Sequence, residues 1–294
     1  MDARSAVHGR DCAVQGKPGP DRDPGTQHFR TPVPARAGTG KGPSRAVSVD
    51  DILYEVFGPL VQGAPGNEAA TLRALDAVPG RDAIRQVLDL GVGHGRTTFV
   101  LAEALRDARI KAVEIHAPFV REIAGRARKA GLAHRVHAVC GDMEKIDVAE
   151  GSIDLVWAEG SIYVVGRERA LSTWRPWLRP GGCVAFSDFV RWADDLPEEA
   201  REFWAMEYPD MASEAVILSC AEAAGYRVVG SFRLPKEAHE AYYVPLEARV
   251  AELAGHADAG VREILGGLRK EIDVVRRFLG EAGYMFFVLQ VADG

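Results

Sequence analysis

A glycine-rich turn after a short apolar run is the feature of this chain with the clearest chemical potential. The run contains Asp89 near its end, and the residues after the turn follow a helical pattern. Between the two stand three glycines on alternate positions, Gly91, Gly93 and Gly95. Glycine permits positive φ angles and a close approach of the backbone to a ligand, and the first N–H groups of a helix are free to bind one. The sequence therefore predicts a ligand-binding turn between a buried strand and a helix.

The spacing of these glycines separates two kinds of nucleotide site. A dinucleotide-binding turn has the pattern G-x-G-x-x-G after its strand. In this chain the third glycine is Gly95, and Arg96 stands where the dinucleotide pattern requires glycine. The turn has the form G-x-G-x-G, which disfavours a nicotinamide-dependent oxidoreductase.

Acidic residues mark the ends of the strands that follow. Glu114 ends the second predicted strand, 19 residues after Gly95. In a doubly wound sheet, an acid about 20 residues beyond the turn accepts hydrogen bonds from ribose hydroxyls. Asp142 follows the third predicted strand, and Glu159 ends the fourth. Because open α/β sheets bind ligands at the carboxyl ends of their strands, we expect all three acids at one site.

The G-x-G-x-G turn, with Asp89 two residues ahead of it, resembles that of class I S-adenosylmethionine (SAM)-dependent methyltransferases. The resemblance implies an α/β fold with a Rossmann-like, doubly wound, seven-stranded sheet, an antiparallel last strand and helical lid segments. It also implies that Asp142 binds the adenine amino group of SAM and that Met143 packs on the adenine ring. The implied cofactor-binding set is Asp89, Gly91, Gly93, Gly95, Glu114, Asp142, Met143 and Glu159.

Four further motifs narrow the resemblance to a bacterial group of small-molecule methyltransferases. They are Glu-Gly-Ser-Ile-Tyr at 159–163, Trp-Arg-Pro-Trp-Leu-Arg-Pro-Gly-Gly at 174–182, Phe203-Trp204 with Tyr208-Pro209, and Gly-Tyr-Met-Phe-Phe at 283–287. The similarity runs from about residue 65 to residue 290. It implies methyl transfer from SAM to an oxygen, nitrogen or carbon atom of a small molecule. A macromolecular (RNA or protein) methyltransferase and a non-catalytic SAM-binding protein are the alternatives.

The catalytic residues are less constrained by the sequence than the cofactor residues. Glu159 is the first candidate for a general base or a substrate anchor, and the alternative is a carboxylate that binds the SAM ammonium group or caps the next helix. Tyr163 is a candidate for orienting the substrate, with core packing as its alternative, and His239 is a second candidate base. Aromatic residues that could line an apolar substrate pocket or simply pack in the core are Trp204, Tyr208, Tyr242 and Tyr243.

The composition separates a leader from a folded domain and argues against several classes of protein. Residues 1–48 are rich in proline and glycine and poor in bulky apolar residues, so we expect a disordered leader. Residues 49–294 form the expected methyltransferase domain, with lid insertions near 49–66, 189–212 and 236–280. The net charge of −6 argues against a nucleic-acid partner, and no apolar run is long enough for a membrane span. The cysteines form no C-x-x-C pair, so we expect no metal. Without an apolar signal segment, a cytoplasmic location is expected, and a homodimer stays open.

Overall fold

The computed structural model describes residues 54–292, and the expected leader at 1–48 lies outside this range. The strands are β1 (Gln86–Leu90), β2 (Arg109–Glu114), β3 (Val136–Cys140), β4 (Ile153–Glu159), β5 (Leu178–Arg191), β6 (Ala212–Ser213), β7 (Tyr226–Arg233) and β8 (Ala282–Val291). The helices are α1 (Glu68–Asp76), α2 (Arg96–Ala104), α3 (Ala117–Lys129), α4 (Arg167–Trp174), α5 (Glu198–Glu207), α6 (Glu214–Ala223), α7 (Lys236–Glu252) and α8 (Ala259–Phe278). Short 3-10 turns cover Arg81–Ala83, Ile162–Val164 and Arg175–Trp177.

Seven strands form one mixed sheet in the order β3-β2-β1-β4-β5-β8-β7. Strands β1 to β5 run parallel, and β8 runs antiparallel to both β5 and β7. The two-residue strand β6 pairs with β5 outside this path. The sheet confirms the expected Rossmann-like architecture with an antiparallel last strand.

The central strands are buried on both faces, as expected when helices cover a parallel sheet. Every residue of β4 except Glu159 is buried, and β8 is buried along nearly its whole length. Trp157 of β4 and Phe286 of β8 are fully buried in the same core cluster, and their ring centroids are 5.5 Å apart. This rigid centre fixes the carboxyl ends of β1, β2 and β4, from which the predicted site residues project.

The segments expected to be lids lie beside one another in the described part of the chain. Residues 54–57 are helical, and the segment that follows reaches α7, where the Gly66 N–H donates to the Ala238 carbonyl at 2.9 Å. Arg249 near the end of α7 donates to the Glu55 carbonyl at 2.7 Å. Helix α7 also packs on α8, and α8 on α5. The N-terminal segment is therefore held against a layer of helices from the C-terminal half.

Candidate active site

The glycine turn lies between β1 and α2, as predicted. Gly91, Gly93 and Gly95 all have positive φ angles, of 66°, 51° and 75°. A Cβ atom at Gly91 would stand 2.5 Å from the Cβ of Ser161, so no larger residue fits between the turn and the loop after β4. The turn can therefore approach both a ligand and the neighbouring loop closely.

A cavity of about 230 Å³ opens at the carboxyl edge of the sheet. Its walls come from residues 54–64, the glycine turn, and the loops that follow β2, β3 and β4. Of the predicted site residues, it brings together Gly91, Gly93, Glu114, Asp142, Met143, Glu159 and Tyr163. The lining does not include Asp89, Gly95, His239, Trp204, Tyr208, Tyr242 or Tyr243.

Glu114 connects the end of β2 to the glycine turn. Its Oε2 accepts a hydrogen bond from the Gly93 N–H at 2.8 Å, and its Oε1 accepts one from the His116 N–H at 2.9 Å. Each carboxylate oxygen offers about two acceptor positions, so the side chain can still accept from a ligand hydroxyl. Its position in the cavity wall suits the ribose-binding role that the sequence suggests.

Asp142 and Met143 follow the end of β3, the strand that pairs with β2. The Asp142 carboxylate accepts from the Glu144 N–H at 3.0 Å and from the Lys145 ammonium at 2.6 Å. The Met143 methyl group lies close to the turn, since a Cβ at Gly91 would stand 2.9 Å from it. Together they give this end of the cavity one acidic group and one flexible apolar side chain.

Glu159 lies in the cavity wall at the end of β4, but its carboxylate is already bound by several donors. Its Oε1 accepts from Arg96, and its Oε2 accepts from the Thr71 hydroxyl at 2.9 Å, the Thr97 hydroxyl at 3.1 Å and the Trp157 indole at 3.4 Å. Its side chain is only 4% exposed. These hydrogen bonds hold the carboxylate in place in the wall, so the geometry suits an anchoring role better than that of a general base.

Arg96 is a site residue that the sequence reasoning missed. Its guanidinium forms the ion pair with Glu159 and donates to the Thr71 and Thr97 hydroxyls at 3.2 and 3.1 Å. The Nε atom is buried and has no hydrogen-bond partner within residues 54–292. The signal was present, because Arg96 follows the third glycine directly and opens the helix that approaches the ligand.

Asp89 and Gly95 lie behind the cavity wall. The Asp89 carboxyl is buried and accepts from the Thr98 hydroxyl on α2 at 2.6 Å. Burial raises the pKa of Asp89 to about 7, although the Thr98 hydrogen bond opposes this rise. A Cβ at Gly95 would meet Ile123 of α3 at 2.8 Å, so this glycine permits helix packing. Both residues therefore shape the turn, and neither is placed to contact a ligand in the cavity.

The histidine proposed as a second base is placed elsewhere. His239 is 2% exposed on α7 and outside the cavity lining. Its Nε2 accepts from the Tyr284 N–H at 3.0 Å, and its Nδ1–H donates to the Pro235 carbonyl at 3.2 Å. Burial lowers its pKa. Because both ring nitrogens are engaged with the backbone, the geometry gives His239 a structural role and does not support a catalytic one.

The four aromatic substrate candidates also lie outside the cavity lining. Trp204 packs on Phe189, with ring centroids 4.2 Å apart. Tyr242 and Tyr243 are buried on α7, and the Tyr243 hydroxyl donates to Glu271 of α8 at 3.0 Å. Their aromatic character serves the contact between the helices, as expected of large apolar surfaces.

Tyr208 packs against a residue that lines the cavity, since its ring centroid is 5.6 Å from that of Tyr163. The Tyr208 hydroxyl donates to Asp188 on β5, whose side chain is 1% exposed and pairs with Arg167 at 2.8 Å. Burial, followed by the charge of Asp188, raises the pKa of Tyr208 well above its usual value. Tyr208 thus supports the wall of the cavity from behind.

His94, inside the glycine turn, connects the turn to the N-terminal segment. Its Nε2–H donates to the Phe57 carbonyl at 3.1 Å, its ring lies 4.3 Å from that of Phe119, and its Nδ1 is 3.6 Å from Glu122. Burial lowers its pKa. His94 therefore holds residue 57 over the cavity, a role that its sequence position alone does not reveal.

No group of three or more histidine, cysteine, aspartate or glutamate side chains in residues 54–292 is arranged to hold a metal ion. No helix within the same range is both long and apolar enough to cross a bilayer.

Comparison with known proteins finds a family model that matches the part of the chain around the site. Residues 87–182 match the model of a methyltransferase domain. The matched range contains the turn, Glu114, Asp142 and Glu159, so the part of the chain that carries these residues is similar to a methyltransferase domain.

Two curated relatives and one solved structure illustrate the likeness. The chain is 31% identical over 127 residues to the 27-O-demethylrifamycin SV methyltransferase of Amycolatopsis mediterranei, an alignment that covers 42% of this chain and 46% of the relative. It is 29% identical over 147 residues to the dimethylglycine N-methyltransferase of Parasynechococcus marenigrum, covering 47% and 50%. The chain thus spans about half the length of these relatives. A SAM-dependent methyltransferase from Geobacter sulfurreducens, solved with S-adenosylhomocysteine, shares the fold with a TM-score of 0.70 at 18% identity, covering 83% of this chain and 99% of that one.

The cavity has the kind of lining that a nucleoside cofactor needs. It includes an acid at the end of β2, an acid and a methionine after β3, and, near β4, the buried Arg96 Nε, which has no hydrogen-bond partner within residues 54–292. An unpartnered buried donor is costly, so a ligand that accepts from it gains affinity.

Proposed function

We propose that this protein binds SAM in the cavity at the carboxyl edge of its sheet and transfers the methyl group to a small molecule. The observation that carries the proposal is the joint placement of Glu114, Asp142 and Glu159 in the wall of one cavity with the glycine turn between them. Three separate stretches of sequence thus meet where open α/β sheets bind nucleotides.

The strand order supports the roles that we propose for the cofactor residues. Glu114 and Asp142 end the neighbouring strands β2 and β3, so they bind the ribose hydroxyls and the adenine amino group side by side. Met143 packs on the adenine ring, and the backbone of Gly91 and Gly93 lies along the nucleoside. Asp89 and Gly95 contribute by holding the shape of the turn.

When bound, SAM supplies a methyl group on a positively charged sulfur, which a nucleophile displaces in line. The contribution of the protein to such a reaction is mainly to orient the two reactants and exclude water. Tyr163 and residues 62–64 form the part of the wall next to the loop after β4, since a Cβ at Gly160 would stand 2.3 Å from the Cβ of Ala64, and we assign the methyl acceptor to this side. Glu159, held by four donors, anchors the site instead of removing a proton.

A small-molecule acceptor is supported by two curated relatives that are named for a rifamycin and for dimethylglycine. These names describe one oxygen acceptor and one nitrogen acceptor in those proteins. For this chain the proposal therefore covers O- and N-methylation of a small molecule and involves no metal. An RNA or protein acceptor is the alternative that the test below must exclude.

The test is calorimetric titration of the protein with SAM, S-adenosylhomocysteine and NAD⁺, followed by a transfer assay with methyl-labelled SAM. We expect binding of the first two ligands and none of NAD⁺. We expect label to appear in the low-molecular-weight fraction of a bacterial extract, with or without a chelator. Absence of binding to both SAM and S-adenosylhomocysteine would refute the cofactor assignment. Label confined to RNA or protein would refute the acceptor class.

A further inference from the structure

The side of the cavity to which we assign the acceptor is built from two stretches of uncharged residues. Residues 61–66 read Val-Gln-Gly-Ala-Pro-Gly, and residues 160–166 read Gly-Ser-Ile-Tyr-Val-Val-Gly. Both stretches contribute to the cavity wall, and they are in contact, because Gly160 has no room for a Cβ beside Ala64. An acceptor bound at this side therefore meets no charged side chain from either stretch.

The polar side chains of this wall bind the backbone of the protein itself. The Gln62 amide donates to the Ala64 and Gly66 carbonyls at 3.0 and 2.8 Å. The Ser161 hydroxyl donates to the Leu90 carbonyl at 2.7 Å. Since an amide group has two N–H donors and a hydroxyl has one, these contacts use every donor of both side chains. What the wall offers to an acceptor here is mainly apolar contact.

The charged residue next to these stretches is neutralised within the protein. Glu159 directly precedes Gly160, forms an ion pair with Arg96 and accepts from three further donors. Arg96 is the one lysine or arginine that lines the cavity within residues 54–292. A carboxylate or ammonium group brought to this side would lose its hydration without meeting an unpaired opposite charge, which is costly. The wall therefore disfavours a charged acceptor.

Exposed apolar side chains continue this wall outside the cavity. Val164 lines the cavity and is 50% exposed, and Val61, next to the lining residue Gln62, is 64% exposed. Single exposed valines are ordinary on a protein surface. These two differ from others because they belong to two stretches that touch each other at the opening of a cavity. We call Val61 and Val164 the apolar rim.

The size of the cavity places most of the acceptor at this rim. The cavity volume of about 230 Å³ is below the roughly 300–1,000 Å³ that is usual for small-molecule sites. A nucleoside over the ends of β2 and β3 leaves room inside for the reacting end of a second molecule alone. The remainder of the acceptor then lies outside, against Val61 and Val164.

We infer that the methyl acceptor is an uncharged molecule with a hydroxyl group at its reacting end and an apolar body that lies on the apolar rim. The inference rests on the proposed function and names its substrate class. In the transfer, the acceptor oxygen bonds to the methyl carbon as the carbon–sulfur bond breaks, the sulfur keeps the electron pair, and the hydroxyl proton passes to water. A hydroxyl group fits this wall, whereas an aliphatic amine is protonated and charged near neutral pH.

The first test measures the charge of the labelled product. The protein is incubated with methyl-labelled SAM and the low-molecular-weight fraction of a bacterial extract, and the products are extracted into ethyl acetate at about pH 2, pH 7 and pH 11. A carboxylic acid enters the organic phase only at the lowest pH and an amine only at the highest, whereas an uncharged ether enters it at all three. We expect label in the organic phase at every pH. Product label that stays in water at neutral pH overturns the inference and leaves the proposed function intact.

The second test measures the apolar rim. Nile red, an uncharged apolar dye, is titrated by fluorescence into the protein saturated with S-adenosylhomocysteine, and into Val61→Glu, Val164→Glu and Val164→Leu under the same conditions. Val216→Glu is the matched control, because Val216 is 49% exposed on α6 and outside the cavity lining. We expect about a tenfold loss of dye affinity in the two rim variants with glutamate, and values within about twofold of wild type in Val164→Leu and Val216→Glu.

Dye affinity that is the same in the rim variants and in Val216→Glu overturns the inference, whether or not the extract yields labelled product. A wild type that does not bind the dye overturns it as well. Calorimetric titration with S-adenosylhomocysteine on the same samples shows which variants are folded. If Val164→Glu is not, Val61→Glu decides the question, because Val61 is exposed and outside the cavity lining. A wild type that binds no S-adenosylhomocysteine refutes the proposed function itself.

Discussion

The Glu114 carboxylate accepts a hydrogen bond from the Gly93 backbone N–H at 2.8 Å, and this contact links the end of β2 to the middle of the glycine turn. Gly93 has a φ of 51°, and its N–H is directed at the acid next to it. The acid proposed to bind the ribose therefore also fixes the turn along which the nucleoside lies. Loss of Glu114 therefore removes a contact to the ligand and also loosens the glycine turn.

The first prediction concerns this acid. Glu114→Ala should weaken S-adenosylhomocysteine binding by about 1.5–3 kcal/mol, the scale of a hydrogen bond to a charged group. Calorimetric titration measures the change. Glu150→Ala is the control, because Glu150 is exposed and outside the cavity lining. Wild-type affinity in Glu114→Ala would remove this residue from the site.

Sequence periodicity was sufficient to predict the parallel strands, the turn and the acids that end the strands. Each of these signals is local: a short apolar run, alternate glycines, or a carboxylate at a strand end. The fold and the lining positions of Glu114, Asp142 and Glu159 were therefore predictable.

The partners of Glu159 were not predictable in the same way. Thr71 lies 88 residues away and Arg96 lies 63 residues away, so only the folded chain shows that Glu159 is enclosed by donors. His239 and Tyr242 were assigned to the site for their chemical type alone. Their helix turns them into the core, where an imidazole accepts a backbone N–H and a phenol ring fills space.

The second prediction concerns the pH dependence of stability through Asp89. Its folded-state pKa of about 7 lies above the value of an unfolded aspartate, so the folded protein binds the proton more tightly. The stabilisation is complete below about pH 4 and is lost as the pH rises through 7. Asp89→Asn should therefore be less sensitive to pH than the wild type between pH 4 and 7.

Chemical denaturation of both proteins at several pH values measures this difference. The wild-type free energy of unfolding should fall relative to that of Asp89→Asn by a few kcal/mol as the pH rises over this range. Parallel curves would show that Asp89 is ionised in the folded state despite its burial.

The third prediction tests whether Tyr208 supports the cavity wall or binds the ligand. Tyr208→Phe removes the hydroxyl that donates to Asp188, which leaves a buried carboxylate with one donor fewer. We expect a loss of about 1–3 kcal/mol in unfolding free energy, with S-adenosylhomocysteine affinity within about twofold of wild type. A large loss of affinity without a loss of stability would place Tyr208 in the ligand site.

The fourth prediction concerns His239. Its substitution by alanine removes the imidazole that accepts from the buried Tyr284 N–H and creates a small cavity on α7. The expected outcome is a destabilisation of about 2–4 kcal/mol, while ligand binding and methyl transfer per folded molecule are retained. Thermal unfolding and calorimetry on the same sample measure the two effects. Unchanged stability with lost transfer would restore the catalytic hypothesis for this residue.

The most direct measurement is a crystal structure of the protein with S-adenosylhomocysteine bound. The account predicts the ribose hydroxyls within hydrogen-bond distance of Glu114, the adenine amino group beside Asp142, and the nucleoside along the backbone of Gly91 and Gly93. A ligand bound in the opposite direction, or outside the cavity at the carboxyl edge of the sheet, would contradict it.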